Sequence, residues 1–304
     1  MRIGLHTMKF GWPGGTEAIG PTLERVLEKA EAAGVHSFWP MDHFFQIPIG
    51  GPPEDPMLEA YATLAWAAGR TSVMQLGTLV TGVHYRHPGV LMKALTTIDV
   101  LSGGRSWLGI GAAWNEKESR GLGVPFPSLA ERFERLEETL QIAHRMFDGN
   151  EQSFEGRHYR LENPMNHPGP VRRPPIMVGG SGEKKTMRLV AQYADASNFL
   201  EQPDPAELQR KLDVLRDWCN RVDRPYGDII KTTFGLMGEP DLDKALPRFE
   251  RLGELGVDLA IVDLPDPNDD RVFEFLSELV PAVESMGRPD PAQLCSPSDE
   301  AMSS

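Results

Sequence analysis

Gln75-Leu76-Gly77-Thr78-Leu79-Val80-Thr81 and Ser106-Trp107-Leu108-Gly109-Ile110-Gly111-Ala112-Ala113-Trp114-Asn115 decide how this chain folds. Each opens as a short apolar run, ends in small or polar residues, and gives way to a helical pattern. The same sequence of events occurs at Met41-Asp42-His43-Phe44 and at Val178-Gly179-Gly180-Ser181-Gly182. Short apolar runs alternating with helices argue for βα units and a parallel sheet.

Working outward, strands are expected at 3–6, 37–41, 75–80, 106–110, 176–178, 196–199, 229–234 and 259–262. Eight is the number that closes a (β/α)8 TIM barrel, an α/β fold whose C-terminal strand ends share one mouth. The helical spacing supports this reading. Leu129, Phe133, Leu136, Leu140, Ala143 and Phe147 form one apolar stripe, and Ser128 with Glu131 reads as a capping box at its start. Gly34 and Gly256 stand where a left-handed C-cap would end a helix before a strand.

One barrel domain is expected over 1–287. The proline-rich stretch 151–174 breaks the rhythm and reads as an insertion at the barrel mouth, a short hairpin followed by an extended segment. The Ser-rich, acidic end, 288–304, reads as a disordered tail.

Composition narrows the class of function. Of 304 residues, 40% are hydrophobic and 25% charged, enough apolar material for a large core. The net charge of -13 argues against a nucleic-acid partner, which needs clustered cations. Two cysteines, Cys219 and Cys295, are too few for a disulfide framework and lack metal-ligand spacing, so no metal is expected. No stretch approaches the roughly 18 apolar residues of a membrane span. The N-terminus runs straight into a strand pattern without a signal peptide. A cytoplasmic protein acting on a small molecule is expected.

The mouth residues carry the chemistry. Gly179, Gly180, Ser181 and Gly182 link a strand to a helix; such a turn is either a flexible connection or a phosphate cradle, in which Ser181 and Lys184 assist. Gly109-Ile110-Gly111-Ala112-Ala113-Trp114 lacks the third glycine of a dinucleotide fingerprint. As a barrel loop, its small residues let a flat ring lie against the backbone, with Trp114 and Asn115 at the ring's edge; tight strand–helix packing is the competing explanation. His43 at a strand end is suited to proton transfer, with Asp42 orienting it or capping the loop. Arg86 pairs either with an anion or with a neighbouring carboxylate.

With these segments in hand, the chain resembles the luciferase-like monooxygenase family, and within it the branch that uses the deazaflavin coenzyme F420. The resemblance rests on Trp39-Pro40-Met41-Asp42-His43-Phe44, Leu76–Thr81, Tyr85-Arg86-His87-Pro88, Leu101-Ser102-Gly103-Gly104-Arg105, Leu108–Asn115 and Pro175–Gly180, and extends over most of the chain to Met286. It implies a coenzyme at the C-terminal mouth, its ring packed against a third-strand bulge at Leu79-Val80 with a non-prolyl cis peptide. It implies contacts from Asp42, Leu79, Val80, Thr81, Ala112, Ala113, Trp114 and Asn115. It also implies a phosphate on Gly179–Gly182 and His43 beside the reactive ring carbon. It implies a homodimer through helices flanking the second and third strands, where Met57–Arg70 is apolar enough to serve. A relative that oxidises a sugar phosphate has Glu where Trp114 stands, so an acid is either missing here or supplied by Glu116 or Glu118. Three functions follow: hydride transfer between F420 and an unidentified organic substrate, an FMN-dependent monooxygenase fed by a separate reductase, and a non-catalytic flavin-binding protein.

Overall fold

The structure, a computed structural model, describes residues 1–202, 204–266 and 268–286. The expected tail, 288–304, lies outside the described residues. The elements run β1 (Arg2–Thr7), α1 (Thr16–Ala32), β2 (Ser37–Pro40), α2 (Ala60–Ala68), β3 (Gln75–Gly77), β4 (Thr81–Gly82), α3 (Pro88–Ser102), β5 (Ser106–Gly111), α4 (Glu116–Gly121), α5 (Leu129–Phe147), β6 (Phe154–Glu155), β7 (Arg160–Leu161), β8 (Ile176–Gly179), α6 (Thr186–Tyr193), β9 (Ala196–Leu200), α7 (Pro205–Arg221), β10 (Ile230–Leu236), α8 (Leu242–Glu254), β11 (Leu259–Asp263) and α9 (Asp270–Met286).

The parallel order β3-β2-β1-β11-β10-β9-β8-β5 is closed by pairing of β3 with β5, giving the eight-stranded ring expected from the alternation. The third strand departs from its expected course. It stops at Gly77, and pairing with β5 resumes only at β4.

Inside the ring, Trp39, Trp107, Met177, Ala196, Ile230, Leu259 and Ile261 form a core of their own, on which Leu79, Val80 and Phe234 pack. Trp39 and Trp107 meet edge to face at 5.7 Å. Each indole N–H has an acceptor, Ser37 Oγ at 2.7 Å and Gln75 Oε1 at 3.1 Å, so the large rings are buried without an unpaired donor. Gly77 makes room for this packing, because a Cβ there would lie 2.3 Å from Trp39 Cζ3. The two rings fill space inside the barrel, next to the Leu79, Val80 and Phe234 side chains that pack on this core.

A second, larger core lies between ring and helices. In α5 the apolar stripe behaves as its spacing requires at Leu136, Leu140, Ala143 and Phe147, which are buried. Ser128 accepts the Glu131 amide, completing the cap. At the opposite end of the barrel, the Gly103 C-cap is left-handed (φ 69°) and turns the chain into Arg105. That buried guanidinium donates to the carbonyls of Ala68, Thr71, Met74 and Ser102, satisfying acceptors at the ends of α2 and α3. The Leu101–Arg105 motif therefore serves the fold.

The segment 151–174 is a hairpin of β6 and β7 followed by an extended run with a cis bond at His167-Pro168. Glu138 of α5 accepts the amides of Arg157, His158 and Tyr159. The hairpin reaches His87 and Gly89 at the mouth-side start of α3. It contributes no residue to the mouth cavity described below. No described helix is long and apolar enough to cross a membrane.

Candidate functional site

A cavity of about 440 Å³ lies at the C-terminal ends of the strands. Asp42 and His43 follow β2, Leu79 and Val80 stand between β3 and β4, Ala112, Ala113 and Trp114 follow β5, and Gly179 ends β8, with Gly180–Gly182 after it. The ring thus gathers residues that are far apart in sequence at one opening.

The interrupted third strand shapes the floor. The Leu79-Val80 peptide is cis, as the resemblance implied. Three glycines on neighbouring strands accommodate it. A Cβ on Gly109 would lie 1.9 Å from the Thr78 carbonyl oxygen, one on Gly111 3.0 Å from Val80 Cγ2, and one on Gly179 2.9 Å from Val80 Cγ1. The hydroxyls beneath are tied together. Thr78 Oγ1 donates to the Gly109 carbonyl at 2.8 Å and lies 2.7 Å from Thr81 Oγ1, which in turn meets the Tyr61 hydroxyl at 2.7 Å. The glycines of β5 therefore serve the bulge first, and Val80 presents an apolar surface to the cavity.

His43 is held by a residue from the other side of the mouth. Glu118 of α4 is fully buried, and its Oε1 takes His43 Nδ1 at 2.6 Å and the Tyr85 hydroxyl at 2.5 Å. Oε2 accepts the amides of Phe44 at 2.8 Å and Phe45 at 3.3 Å. Burial alone would raise the Glu118 pKa, but His43, Tyr85 and the Phe44 amide together hold it below the usual carboxylate value. A carboxylate only accepts, so Nδ1 carries the hydrogen and Nε2 is left to the cavity that His43 lines. Trp114, 59% exposed, meets the imidazole edge-on at 5.4 Å.

Asp42 neither orients His43 nor caps the loop through its own chain. It forms a bidentate pair with Arg86, at 2.7 and 2.9 Å, and accepts the Gly82 amide at 3.3 Å. Arg86 also bonds Glu59 and lies over the Tyr61 ring at 4.6 Å. Burial pushes the Asp42 pKa up and Arg86 opposes it. Of the two roles open to Arg86, the structure selects pairing with carboxylates.

On the opposite rim, Gly180 adopts φ 127°, a conformation that favours glycine. A Cβ on Gly182 would lie 2.9 Å from Thr186 Oγ1. The helix opens at Thr186, later than the sequence suggested, so Ser181–Lys185 form the turn before it. Among the described residues, no acceptor takes the amides of Ser181 or Gly182. Exposed amides ahead of a helix N-terminus suit an anion.

Most of the expected site residues line this one cavity. Thr81 and Asn115 are the two that do not: Thr81 is buried beneath the bulge, and Asn115 is the N-cap residue of α4. Sequence reasoning left Glu118 as one of two candidate acids and missed its partner. It also missed Arg132, which donates to the Ala112 carbonyl at 2.9 Å and the Pro127 carbonyl at 2.6 Å, fixing the loop after β5. A third omission is the His6–Asp263 pair, 3.1 Å apart at the ends of β1 and β11. Their positions at strand ends were the available signal. Among the described residues, no group of His, Cys, Asp and Glu is arranged to hold a metal.

The chain is similar to proteins of known kind. An F420-dependent glucose-6-phosphate dehydrogenase of Nakamurella multipartita is 33% identical over 228 residues, which cover 73% of this chain and 65% of that protein. The chain thus spans less than two thirds of that relative's length. An uncharacterized protein of Mycobacterium tuberculosis is 26% identical, with 90% of this chain and 97% of that one covered. The barrel also superposes on an F420-dependent secondary alcohol dehydrogenase, solved in complex with an F420-acetone adduct, with a TM-score of 0.78 at 17% identity over 93% of this chain and 98% of that one. The family model of the luciferase-like monooxygenases matches residues 1–237. The chain belongs to the luciferase-like monooxygenase family.

Proposed function

We propose that the protein is an oxidoreductase that binds the deazaflavin coenzyme F420 in this mouth and moves a hydride between it and a small organic substrate. The observation that carries the reading is the placement of His43. Its Nδ1 is fixed by a buried carboxylate, its Nε2 has no partner among the described residues, and it stands on the same cavity as the Val80 bulge and the Gly179–Gly182 turn. The relatives named as F420-dependent support the choice of coenzyme.

The residues fit such a group. Val80, Ala112 and Ala113 offer a wall with little side chain to a planar ring, and the amides of Ser181 and Gly182 offer donors to a phosphate. When bound, the deazaflavin would supply the hydride chemistry at its ring carbon. His43 would act at Nε2, accepting or returning a proton or stabilising charge beside the ring. Glu118 would keep the imidazole in one tautomer, and the buried Asp42–Arg86 pair would hold the loop that carries it.

Purified protein titrated with F420 and, separately, with FMN tests this. F420 fluorescence should change saturably, and FMN should not displace the coenzyme at comparable concentration. Tight FMN binding with oxygen consumption on turnover would favour the monooxygenase reading. Binding of neither would end both.

A further inference from the structure

Beside the cavity assigned to the coenzyme lies a second one of about 390 Å³, walled by the ends of β1, β10 and β11 and by the loop after β1. The two share His6, Met8 and Ile49, so they adjoin along one wall. His6 and Asp263 face each other in register across the β1–β11 pair. Asp263 Oδ1 takes His6 Nδ1 at 3.1 Å and the Met8 amide at 2.9 Å. An acceptor-only carboxylate again leaves the hydrogen on Nδ1. The imidazole, its side chain 3% exposed, rests on the Phe234 ring at 4.6 Å. Among the described residues, Nε2 has no partner. Both cavities are lined by His6, so this unpaired nitrogen is open to a ligand there. The mouth therefore carries two imidazole–carboxylate pairs. His43 serves the larger cavity, and His6 stands on the wall between the two.

The charges of the walls narrow what the second chamber accepts. Among the described residues the two cavities contain one Lys or Arg in all, Lys9, and it shares its wall with Asp263 and Asp266. A phosphate ester in this chamber would face two carboxylates and one cation, with no guanidinium to grip it. A neutral molecule would find apolar contacts from Leu5, Trp12, Leu236 and Leu264, and a polar anchor at His6 on the wall shared with the larger cavity.

We propose that this chamber is the substrate site, that it takes a neutral alcohol or carbonyl compound rather than a phosphorylated sugar, and that His6 Nε2 hydrogen-bonds the substrate oxygen. Nε2 accepts from a hydroxyl when the ring is neutral and donates to a carbonyl when it is protonated. The proposal rests on the coenzyme reading of the larger cavity and assigns the neighbouring space.

The test uses the full chain with F420 bound, and follows the imidazole nitrogen NMR signal of His6, identified by its loss in His6→Gln. Isopropanol, cyclohexanol and cyclohexanone are the neutral probes; glucose 6-phosphate and inorganic phosphate are the anionic ones. At least one neutral probe should shift the His6 signal saturably, and the anions should leave it in place. At saturating F420, His6→Gln should weaken binding of that probe about tenfold. The proposal is overturned if the anionic probes move His6 in preference to the neutral ones. It is also overturned if no neutral probe moves it, or if His6→Gln binds that probe as the wild type does. Loss of F420 binding in the wild type, with the neutral-probe shift intact, would end the coenzyme reading and leave the chamber assigned.

Discussion

Glu118 and His43 are 75 residues apart in the chain and 2.6 Å apart across the mouth. The contact joins the loop after β2 to the short helix after β5, and it does two things. It fixes which imidazole nitrogen faces the cavity, and it gives a buried carboxylate oxygen one of its hydrogen-bond donors. Function and local stability therefore depend on the same pair.

His43→Ala removes the group beside the reacting centre. Turnover of an identified substrate should fall about 10²–10⁴-fold, the usual range for losing a general acid or base. F420 affinity, measured by fluorescence, should change little, because the apolar wall and the glycine turn remain. Equal losses in both would assign His43 to binding alone.

Glu118→Gln keeps the shape and removes the charge. In urea unfolding at pH 7 it should cost about 1–3 kcal/mol, the range for disturbing a buried charged hydrogen-bond acceptor. The folded-state pKa of Glu118 is depressed, so its ionised form contributes stability above the ordinary value of 4.5 and loses that contribution as pH falls below it. The gap between wild type and variant should narrow as the pH drops below 4.5.

The histidines set a second acid window. Burial, with nearby arginines, lowers His36 and His84 to about 4. The unfolded chain takes up these protons first, from about 6.5 downwards, so stability should decline between pH 6.5 and pH 4. His84 bonds Ser119 Oγ at 2.8 Å through Nε2. His84→Asn should flatten part of that decline in thermal unfolding at stepped pH; a slope identical to wild type would contradict the assignment.

Arg86→Lys should not be a mild change. The guanidinium contacts both Asp42 oxygens, which a single ammonium cannot match. Arg86→Ala leaves Asp42 buried without its cation and should cost about 3–5 kcal/mol. Arg86→Lys should fall between wild type and Arg86→Ala in the same denaturant series.

Gly109→Ala tests the bulge. The added methyl meets the Thr78 carbonyl at 1.9 Å, a backbone atom that can only yield by moving the bulge. A loss of about 1–3 kcal/mol is expected from overpacking, together with weaker F420 binding. Gly103→Ala meets no atom within 4 Å and lies at the far end of the barrel, although its φ of 69° carries strain. It should leave F420 affinity unchanged.

The eight barrel strands were legible because each is an apolar run followed by a helical stripe, a signal carried by local sequence. The third strand's break was not legible, since Leu79 and Val80 continue its apolar run and only the barrel shows why the pairing lapses. At the site, the positions at strand ends gave His43, Ala112 and Gly180 a common mouth. Their partners were harder. Glu118 sits in a six-residue helix with no periodicity to orient it. Arg132 reads as a polar position beside the α5 stripe. His6 and Asp263, 257 residues apart, meet only because the ring closes. The place of Asp42 beside His43 suggested that it orients the imidazole, whereas its carboxylate pairs with Arg86. Packing around a buried charge leaves no mark in spacing.

A crystal structure of the protein with oxidised F420 tests the central claim most directly. The account predicts the ring against Val80 and Ala112, His43 Nε2 at its edge, and the phosphate on the amides of Ser181 and Gly182. A coenzyme whose phosphate lies away from that turn, or whose ring occupies the chamber beside Asp263, would contradict it.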